Sequence, residues 1–552
     1  MAGRQIITAT RQQHRGLVEA KFQIFLMLLA VLAVTALLAR RFNVAPAILL
    51  LVAGIALAFI PGIPRIELPP ELILLVVLPP LIYSASVAMS WREFRANLRA
   101  IGLLAIGCVI FTACAVAAAT HYLLGLDWSV GFLLGAIVAP PDVVAPLAIA
   151  RKLGLPRRII VVLEGEGLAN DATALILYRF ALAAILTGMF SLPKASGTFV
   201  AILAGEIAFG VAIGWLSLRL RRWARDSQIE ITLSLLTPYI AYWIPEHLGG
   251  SGVIATVACG LYISWNGPLM ISAATRLQGI FFWDLVIYLI EGVLFLLTGF
   301  EVRAIVERSK GVPFDELLVA TLLVAAIVIA ARFVWVYPAT YLPHLLSGRV
   351  RERETVPSWR ATFVVAFTGV RGAVSLATAL ALPFALPDGS GFPDRDLILF
   401  VAFGVILITL VGLGLTLPAV VNALGISQVG ESEHVVEHEN EIAARREALA
   451  AALKSLRAMT TDRELSAEVV KLLNARHDIR ARQLPASLDD DAYAATANAR
   501  ALVRELIAAE RNFIHAQLRD GKITDEARRR IERDLDLEEA SLANREWRGG
   551  AA

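Results

Sequence analysis

Residues 162–179 read Val-Leu-Glu-Gly-Glu-Gly-Leu-Ala-Asn-Asp-Ala-Thr-Ala-Leu-Ile-Leu-Tyr-Arg. The stretch is apolar enough overall to cross a bilayer as a helix. The polar residues that interrupt it are Glu164, Glu166, Asn170, Asp171 and Arg179. An ionisable side chain at membrane depth costs at least about 2.5–3.5 kcal/mol, so such residues are rare and usually mark an ion or proton pathway. The stretch therefore predicts a membrane helix that handles cations or protons.

The composition of the whole chain also indicates a membrane protein. The 552 residues are 57% hydrophobic and only 18% charged, and the mean hydropathy is +0.66. Soluble proteins of this length are far less apolar. The three cysteines lie within apolar runs, without the spacing of a metal site or a disulfide framework, so no cofactor is expected. The first apolar run lacks a signal-peptidase site and is interpreted as a first span.

Thirteen apolar runs have the length needed to cross about 30 Å of hydrocarbon as helices. They are residues 22–39, 45–60, 71–89, 101–124, 129–150, 159–186, 198–218, 229–244, 251–265, 281–300, 317–342, 361–383 and 397–424. The expected fold is therefore an all-α polytopic membrane protein, with membrane lipids as its surroundings.

The charges of the loops predict the orientation. Six alternate loops contain about 18 basic residues and the other six contain about 6. Because basic loops stay in the cytoplasm, an odd number of spans places the N-terminus outside and the C-terminus inside. The basic tail of residues 1–21 is a local exception that the other loops outweigh. We expect a multi-pass protein of the inner (plasma) membrane.

The composition changes after the last span. The predicted domains are an outside tail (1–21), a transmembrane domain (22–424) and a cytoplasmic helical tail (425–552). Mixed charges with apolar residues three and four apart are typical of amphipathic helices that pack on one another or on a partner. The tail contains no nucleotide loop or zinc spacing, and no nucleic-acid partner is expected. A support for folding or dimerisation and a regulatory sensor with its own ligand both remain open.

A second deep carboxylate lies in residues 135–142, Gly-Ala-Ile-Val-Ala-Pro-Pro-Asp. At about 1.5 Å per helical residue, Asp171 lies roughly 18 Å into its span from one side, and Asp142 roughly 20 Å into its span from the other. Both therefore reach the midplane. Pro140 and Pro141 remove two backbone donors and predict a broken helix, whose exposed carbonyls and helix ends suit a cation. A simple packing kink is the alternative.

Asp171 is the expected carrier of the ion and the proton. Burial disfavours the ionised form of a carboxylate, so a proton and a cation can compete for it near neutral pH. Hard alkali cations prefer oxygen ligands. Asn170 adds a neutral amide that can orient groups or donate towards the Asp142 region. A structural aspartate paired with an arginine is the alternative for Asp171.

The other deep charges have structural explanations. Glu166 shares a helix face with Asn170 and needs a cationic partner, which we predict to be Arg371 in a structural ion pair. Glu164 either forms part of a cytoplasmic funnel that attracts cations or reaches the interface. Glu206 and Glu291 are interpreted as helix-packing hydrogen bonds, with an ion ligand as the alternative for each. Arg179 is expected to reach the outer interface or a partner. These six acidic and basic groups add to the two aspartates of the expected site.

These motifs resemble the cation:proton antiporter-1 family, the sodium/proton exchangers, over nearly the whole chain. Residues 166–174 match the family's Glu-Ser-x-x-Asn-Asp-Ala-Thr signature, and residues 369–373 match its Gly-Leu-Arg-Gly-Ala motif. Residues 78–83 (Leu-Pro-Pro-Leu-Ile-Tyr) resemble its third-span motif, and residues 295–301 resemble its Leu-Phe-x-Leu-x-Gly-Leu-Glu run. Residues 532–539 resemble the end of the bacterial branch.

The resemblance implies inverted repeats with helices broken at the midplane, and a homodimer that works by an elevator-like movement. It implies that Asp171, with Asn170 beside it, is the alternating-access ion and proton site. Asp142 would be a second oxygen ligand for the monovalent cation, through water, and Glu166–Arg371 a structural pair. The Asn-Asp pair implies electroneutral exchange of one cation for one proton.

Two departures from the family pattern bear on selectivity. The family usually has Thr-Asp-Pro at the broken helix, where this chain has Pro141-Asp142-Val143. The serine after the motif glutamate is Gly167 here, so two possible oxygen ligands are missing.

The function predicted is exchange of sodium or lithium, with potassium an alternative, for protons. A channel or ion-gated sensor with a signalling tail is a rival. A membrane enzyme has little support, since the deep polar residues include no nucleophile or metal arrangement.

Overall fold

The apolar runs form helices in the computed structural model of this chain. The structure describes residues 23–61 apart from 25, 40 and 43, together with residues 73–187, 192–462, 466–482, 490–520 and 522–546. Over these residues the extended chain pairs at a single isolated bridge, between Ala385 and Gly391. The protein is therefore all-α. The predicted outside tail, residues 1–21, lies outside the described residues.

The helices of the apolar part are numbered in chain order. They are α1 (Leu26–Ala39), α2 (Pro46–Ala58), α3 (Ile73–Ala88), α4 (Trp91–Ala96), α5 (Leu98–Leu124), α6 (Trp128–Val138), α7 (Val144–Lys152), α8 (Arg157–Thr187), α9 (Leu192–Ala224), α10 (Ser227–His247), α11 (Val253–Met270), α12 (Ala273–Arg308), α13 (Phe314–Leu346), α14 (Gly348–Arg353), α15 (Trp359–Phe367), α16 (Ala373–Leu380) and α17 (Arg395–Leu424).

Seven helices in the described part are long and apolar enough to cross a membrane, namely α5, α8, α9, α11, α12, α13 and α17. Shorter apolar helices include α1, α2, α3 and α6. The chain is thus a polytopic membrane protein. Each predicted apolar run coincides, where it is described, with one helix or with two short helices in sequence. The total of thirteen spans stays a prediction.

Two of the predicted spans are broken near their middles. The first break separates α6 from α7 at the proline pair, the position that the sequence predicts. The second separates α15 from α16 at residues 368–372, Thr-Gly-Val-Arg-Gly. These residues contain no proline, so the apolar pattern did not predict the position of this break. The Asp142 N–H donates to the Val370 carbonyl at 2.7 Å, so the two breaks meet.

The breaks are held within an apolar core. Leu133 of α6, Val324 of α13, Leu376 of α16 and Val401 of α17 are fully buried in one cluster. Close packing of these elements fixes the positions of the short helices. The residues at the two breaks therefore lie on a rigid frame.

The contacts within the chain divide it into two compact units. The first contains Met1–Leu153 and Arg157–Ile426, and the second contains Gly154–Pro156 and Ser427–Ala552. The second unit contains α18 (Ser427–Asp462), α19 (Ala467–Arg482), α20 (Asp490–Arg519) and α21 (Asp525–Glu546). Helices α20 and α21 pack through buried Ile507 and Leu535. Arg511 of α20 also reaches Asp536 and Glu539 of α21, at 2.5 and 2.6 Å. The amphipathic pattern of this tail thus joins α20 to α21.

Helices α2 and α12 approach most closely at two glycines. A Cβ atom added to Gly54 would collide with the Leu296 carbonyl, and one added to Gly299 would collide with the Leu51 carbonyl. These obstacles are backbone atoms, which cannot move aside as a flexible side chain can. The crossing therefore requires glycine on both helices.

We expect Gly299→Ala to lower the free energy of unfolding by about 1–3 kcal/mol, because the added methyl overpacks the crossing. Gly279→Ala on the same helix is the matched control, since nothing lies within 4 Å of a Cβ at Gly279. Thermal unfolding of the detergent-purified protein measures both. Equal melting temperatures for the two variants would contradict the tight crossing.

Candidate functional site

The site is organised around Asp142 at the first break. Its backbone N–H donates to the Val370 carbonyl of the second break, and its Oδ1 accepts a hydrogen bond from the Val144 N–H at 2.9 Å. The carboxylate thereby satisfies the N–H of the first residue of helix α7. A Cβ at Gly372 would collide with this carboxylate, so glycine at that position lets the second break approach Asp142.

Asn170 ties helix α8 to the first break. Its Nδ2 donates to the Pro141 carbonyl at 2.6 Å, and its Oδ1 is buried without a hydrogen-bond partner. This contact agrees with the prediction that the amide donates towards the Asp142 region. A carbonyl released by the proline pair is thus satisfied by a neutral donor, which adds no charge at the crossing.

A cavity of about 160 Å³ connects the polar groups of the site. Its lining includes Asp142 of the break, Asp171 of α8 and Glu291 of α12. The first two carboxylates are partly exposed, and Asp171 has no hydrogen-bond or ion-pair partner among the described residues. Two predicted ion ligands, Asp142 and Asp171, therefore face one space. The alternative of an arginine-paired Asp171 does not hold in this structure.

Glu291 lies in the candidate site, although the sequence favoured another role for it. Helix packing was preferred to ion binding for this residue, yet it lines the cavity with the two aspartates. Its depth within an apolar helix was the available signal, but one chain position cannot show which side of α12 meets the break. A third carboxylate adds further oxygen atoms for a hard cation.

Arg371 stabilises the crossing through backbone carbonyls. Its side chain is 1% exposed and donates to Val138 at 2.9 Å, to Ala139 at 3.1 Å and to Gly369. Its own N–H donates to Thr409 of α17 at 3.0 Å. The first two carbonyls close the C-terminal end of α6, where a cation also interacts favourably with the helix dipole.

The predicted Glu166–Arg371 ion pair is wrong. Glu166 is bound by Arg332 of α13, whose two terminal nitrogens reach the two carboxylate oxygens at 2.5 and 2.8 Å. Both side chains are almost completely buried, at 0% and 1% exposure. The prediction matched charges by depth alone, whereas the fold places Arg371 against carbonyls. The signal for the true partner was Arg332 itself, a basic residue in the middle of the 317–342 apolar run.

The remaining predicted residues lie around the cavity or away from it. Glu164 lines the cavity and pairs with Arg151 at 2.6 Å. Arg179 binds Glu246 and the Gly250 carbonyl, and it does not line the cavity that contains the two aspartates. The carboxylate of Glu206 accepts the N–H groups of residues 251 and 252 at the start of α11 and therefore acts in helix packing, as interpreted.

The two departures from the family pattern touch each other. A Cβ at Gly167 would collide with the side chain of Val143, and both residues line the cavity. Valine after the aspartate therefore goes together with glycine after Glu166. The region near Asp171 loses a hydroxyl and gains an apolar wall. Among the described residues no group of three His, Cys, Asp or Glu side chains is arranged to hold a metal ion.

A family model described as the transmembrane sodium/hydrogen exchanger matches residues 27–423. An uncharacterised Na⁺/H⁺ exchanger of Mycobacterium tuberculosis is 34% identical over 94% of this chain and 96% of its own length. A sodium, potassium, lithium and rubidium/H⁺ antiporter of Bacillus pumilus is 32% identical over 79% of this chain and 66% of its own length.

Solved structures share the fold. The sodium proton antiporter of Methanocaldococcus jannaschii superimposes with a TM-score of 0.58 at 16% identity, covering 74% of this chain and 99% of the other. At this identity the likeness concerns the fold alone.

A double-mutant cycle tests the buried pair. Arg332→Met should cost about 3–5 kcal/mol of stability, because it leaves the Glu166 carboxylate buried and uncompensated. Adding Glu166→Gln should recover much of that loss, since the remaining charge is removed. The cycle of Glu166→Gln with Arg371→Met should be additive. Coupling with Arg371 and none with Arg332, measured by thermal unfolding, would contradict the assignment.

Proposed function

Since the chain belongs to the sodium/hydrogen exchanger family, and so exchanges sodium for protons across the membrane, we propose that Asp171 is the residue that carries both ions. The observation that carries this proposal is the unpartnered Asp171 carboxylate, which shares its cavity with Asp142 at the crossing of two broken helices. Every other feature of the mechanism follows from how that carboxylate is compensated.

Competition for one carboxylate is sufficient for exchange. In the proposed cycle Asp171 holds either a cation or a proton, and the helices that bear it move only when its charge is compensated. Asp142 supplies a second oxygen ligand through water. The neighbouring Asn170 and the Glu166–Arg332 pair contribute no net charge. One cation for one proton, without net charge transfer, is the stoichiometry proposed.

The cation preference follows from the oxygens that remain. Pro141 and Gly167 offer no side-chain oxygen, so carboxylates, carbonyls, the Ser375 hydroxyl and water are the available ligands. Such a set holds hard monovalent cations without a fixed cage, and we propose sodium or lithium with potassium as a further substrate. The printed name of the Bacillus pumilus relative includes sodium, potassium and lithium, which supports a broad preference.

The movement proposed is an elevator-like displacement of the crossing within a homodimer. It is supported by the shared core cluster of α6, α13, α16 and α17, which lets these helices move as one body. We propose a cytoplasmic C-terminal tail and an outside N-terminus in the inner membrane, on the strength of the basic loops. The tail's ligand or partner stays open.

A channel is the second candidate, and coupling distinguishes the two. A channel conducts a cation without obligatory proton flux, whereas one shared carboxylate links the two fluxes. The position of Asp171 midway along α8, without a partner in the described part of the chain, favours exchange.

The decisive measurement is the dissipation of a preset pH gradient in proteoliposomes by sodium, lithium and potassium in turn. We expect Asp171→Asn to abolish exchange, because the amide cannot hold a proton in place of a cation. The rate of the unaltered protein should be indifferent to a potassium–valinomycin voltage clamp.

Asp284→Asn is the matched control, since Asp284 lies exposed on α12 and outside the cavity. It should exchange as the unaltered protein does. Proton flux that persists in Asp171→Asn, or the absence of coupled flux with any of the three cations, would overturn the proposal.

A further inference from the structure

Besides the two aspartates at the crossing of the broken helices, a pair of opposite charges lines the cavity. Arg151 Nη2 lies 2.6 Å from Glu164 Oε1, and both residues line the same space as Asp142 and Asp171. The Arg151 side chain is 62% exposed and that of Glu164 is 15% exposed. The arginine thus lies at the open end of the cavity and the glutamate lies deeper.

The positions of this pair along the chain relate it to the ion site. Arg151 is in the last turn of α7, whose first turn follows Asp142, and Glu164 is two turns before Asp171 on α8. Seven helical residues correspond to about 10 Å along the axis. Glu164 therefore lies between the exposed end of the cavity and Asp171, on the same face of the same helix.

The charges of the lining are unequal. Its carboxylates are Asp142, Glu164, Asp171 and Glu291, and within the described residues Arg151 is its single basic side chain. A cluster of carboxylates attracts cations into a cleft. The Arg151 guanidinium at the entrance is paired with Glu164, the outermost carboxylate, and so lowers the attraction of the cavity for cations.

The Arg151–Glu164 contact is weak enough to open. The guanidinium of this pair is exposed, so water and salt screen the contact and reduce its contribution. Neither side chain makes another hydrogen bond in the described part of the chain, so nothing else fixes the arginine over the cavity. A small cation that reaches Glu164 can displace the guanidinium without breaking a buried network.

We propose that Glu164 is an outer binding site for the monovalent cation, and that Arg151 is a displaceable competitor that sets its occupancy. The cation reaches Asp171 by way of Glu164 after the guanidinium swings into solvent. This inference rests on the proposed exchange at Asp171 and adds a residue pair that determines the apparent affinity from the open side.

The test is the sodium dependence of exchange in everted membrane vesicles from a host without its own sodium/proton antiporters. Arg151→Gln should lower KM for sodium by roughly two- to fivefold, which corresponds to the free energy of an exposed ion pair. Glu164→Gln should raise KM. Both variants should keep the maximal rate, since neither removes a ligand of the inner site. Added choline chloride should reduce the effect of Arg151→Gln, because salt screens the exposed charge.

Arg157→Gln is the matched control. Arg157 forms a similar exposed pair with Glu93 at 2.7 Å, but neither residue lines the cavity, so its removal should leave KM unchanged. If the Arg151–Glu164 pair only holds α7 and α8 together, Arg151→Gln and Glu164→Gln should behave alike. Both should lower the melting temperature, and both should leave KM for sodium unchanged or shift it in the same direction. That result overturns the outer site.

The outcomes also separate this inference from the exchange mechanism. If the unaltered vesicles exchange, Asp171→Asn does not, and Arg151→Gln has an unchanged KM, the outer site fails and Asp171 stands. If Asp171→Asn exchanges normally, the proposed carrier fails whatever the KM values are.

Discussion

A helix that stops inside an apolar environment leaves carbonyl and N–H groups without partners, and the centre of this protein depends on satisfying them. An unpaired buried backbone group costs free energy comparable to a lost hydrogen bond, and more where no water can reach it. At this crossing the Asp142 N–H is paired with Val370, the Pro141 carbonyl with Asn170, and the end of α6 with Arg371. The breaks can therefore persist, and their persistence keeps a polar space in the middle of an apolar chain.

The deep charges divide into compensated and uncompensated groups. Glu166 and Arg332 neutralise each other, and Arg371 is surrounded by carbonyl oxygens. A buried charge that already has a partner has little to gain from a passing ion. Asp171 has no such partner in the described structure, and its carboxylate faces the cavity. Compensation, more than depth, thus distinguishes a structural carboxylate from one that can bind an ion.

The wall of the cavity shows how neighbouring substitutions depend on one another. Val143 follows the site aspartate, and its side chain fills the space that a Cβ at Gly167 would occupy. Because the two residues are closely packed, a larger residue at position 167 could not be accommodated while Val143 is present. The shape of this wall is therefore a property of the pair, and a single-position comparison would miss it.

The sequence by itself determined the class of the molecule and pointed to the residues that we propose as its principal site. Apolar run length, loop charge and deep carboxylates are local properties, so the helices, the break at Pro140 and Pro141, and the importance of Asp142 and Asp171 could be predicted without coordinates. The second break, the entry of Glu291 into the cavity and the choice of Arg332 over Arg371 as the partner of Glu166 were decided only by tertiary structure. Each of these depends on which faces of distant helices meet. Any two opposite charges at similar depth in a bilayer can pair, so depth alone does not identify the partner of a buried charge. The packing of the helices decides which pair forms.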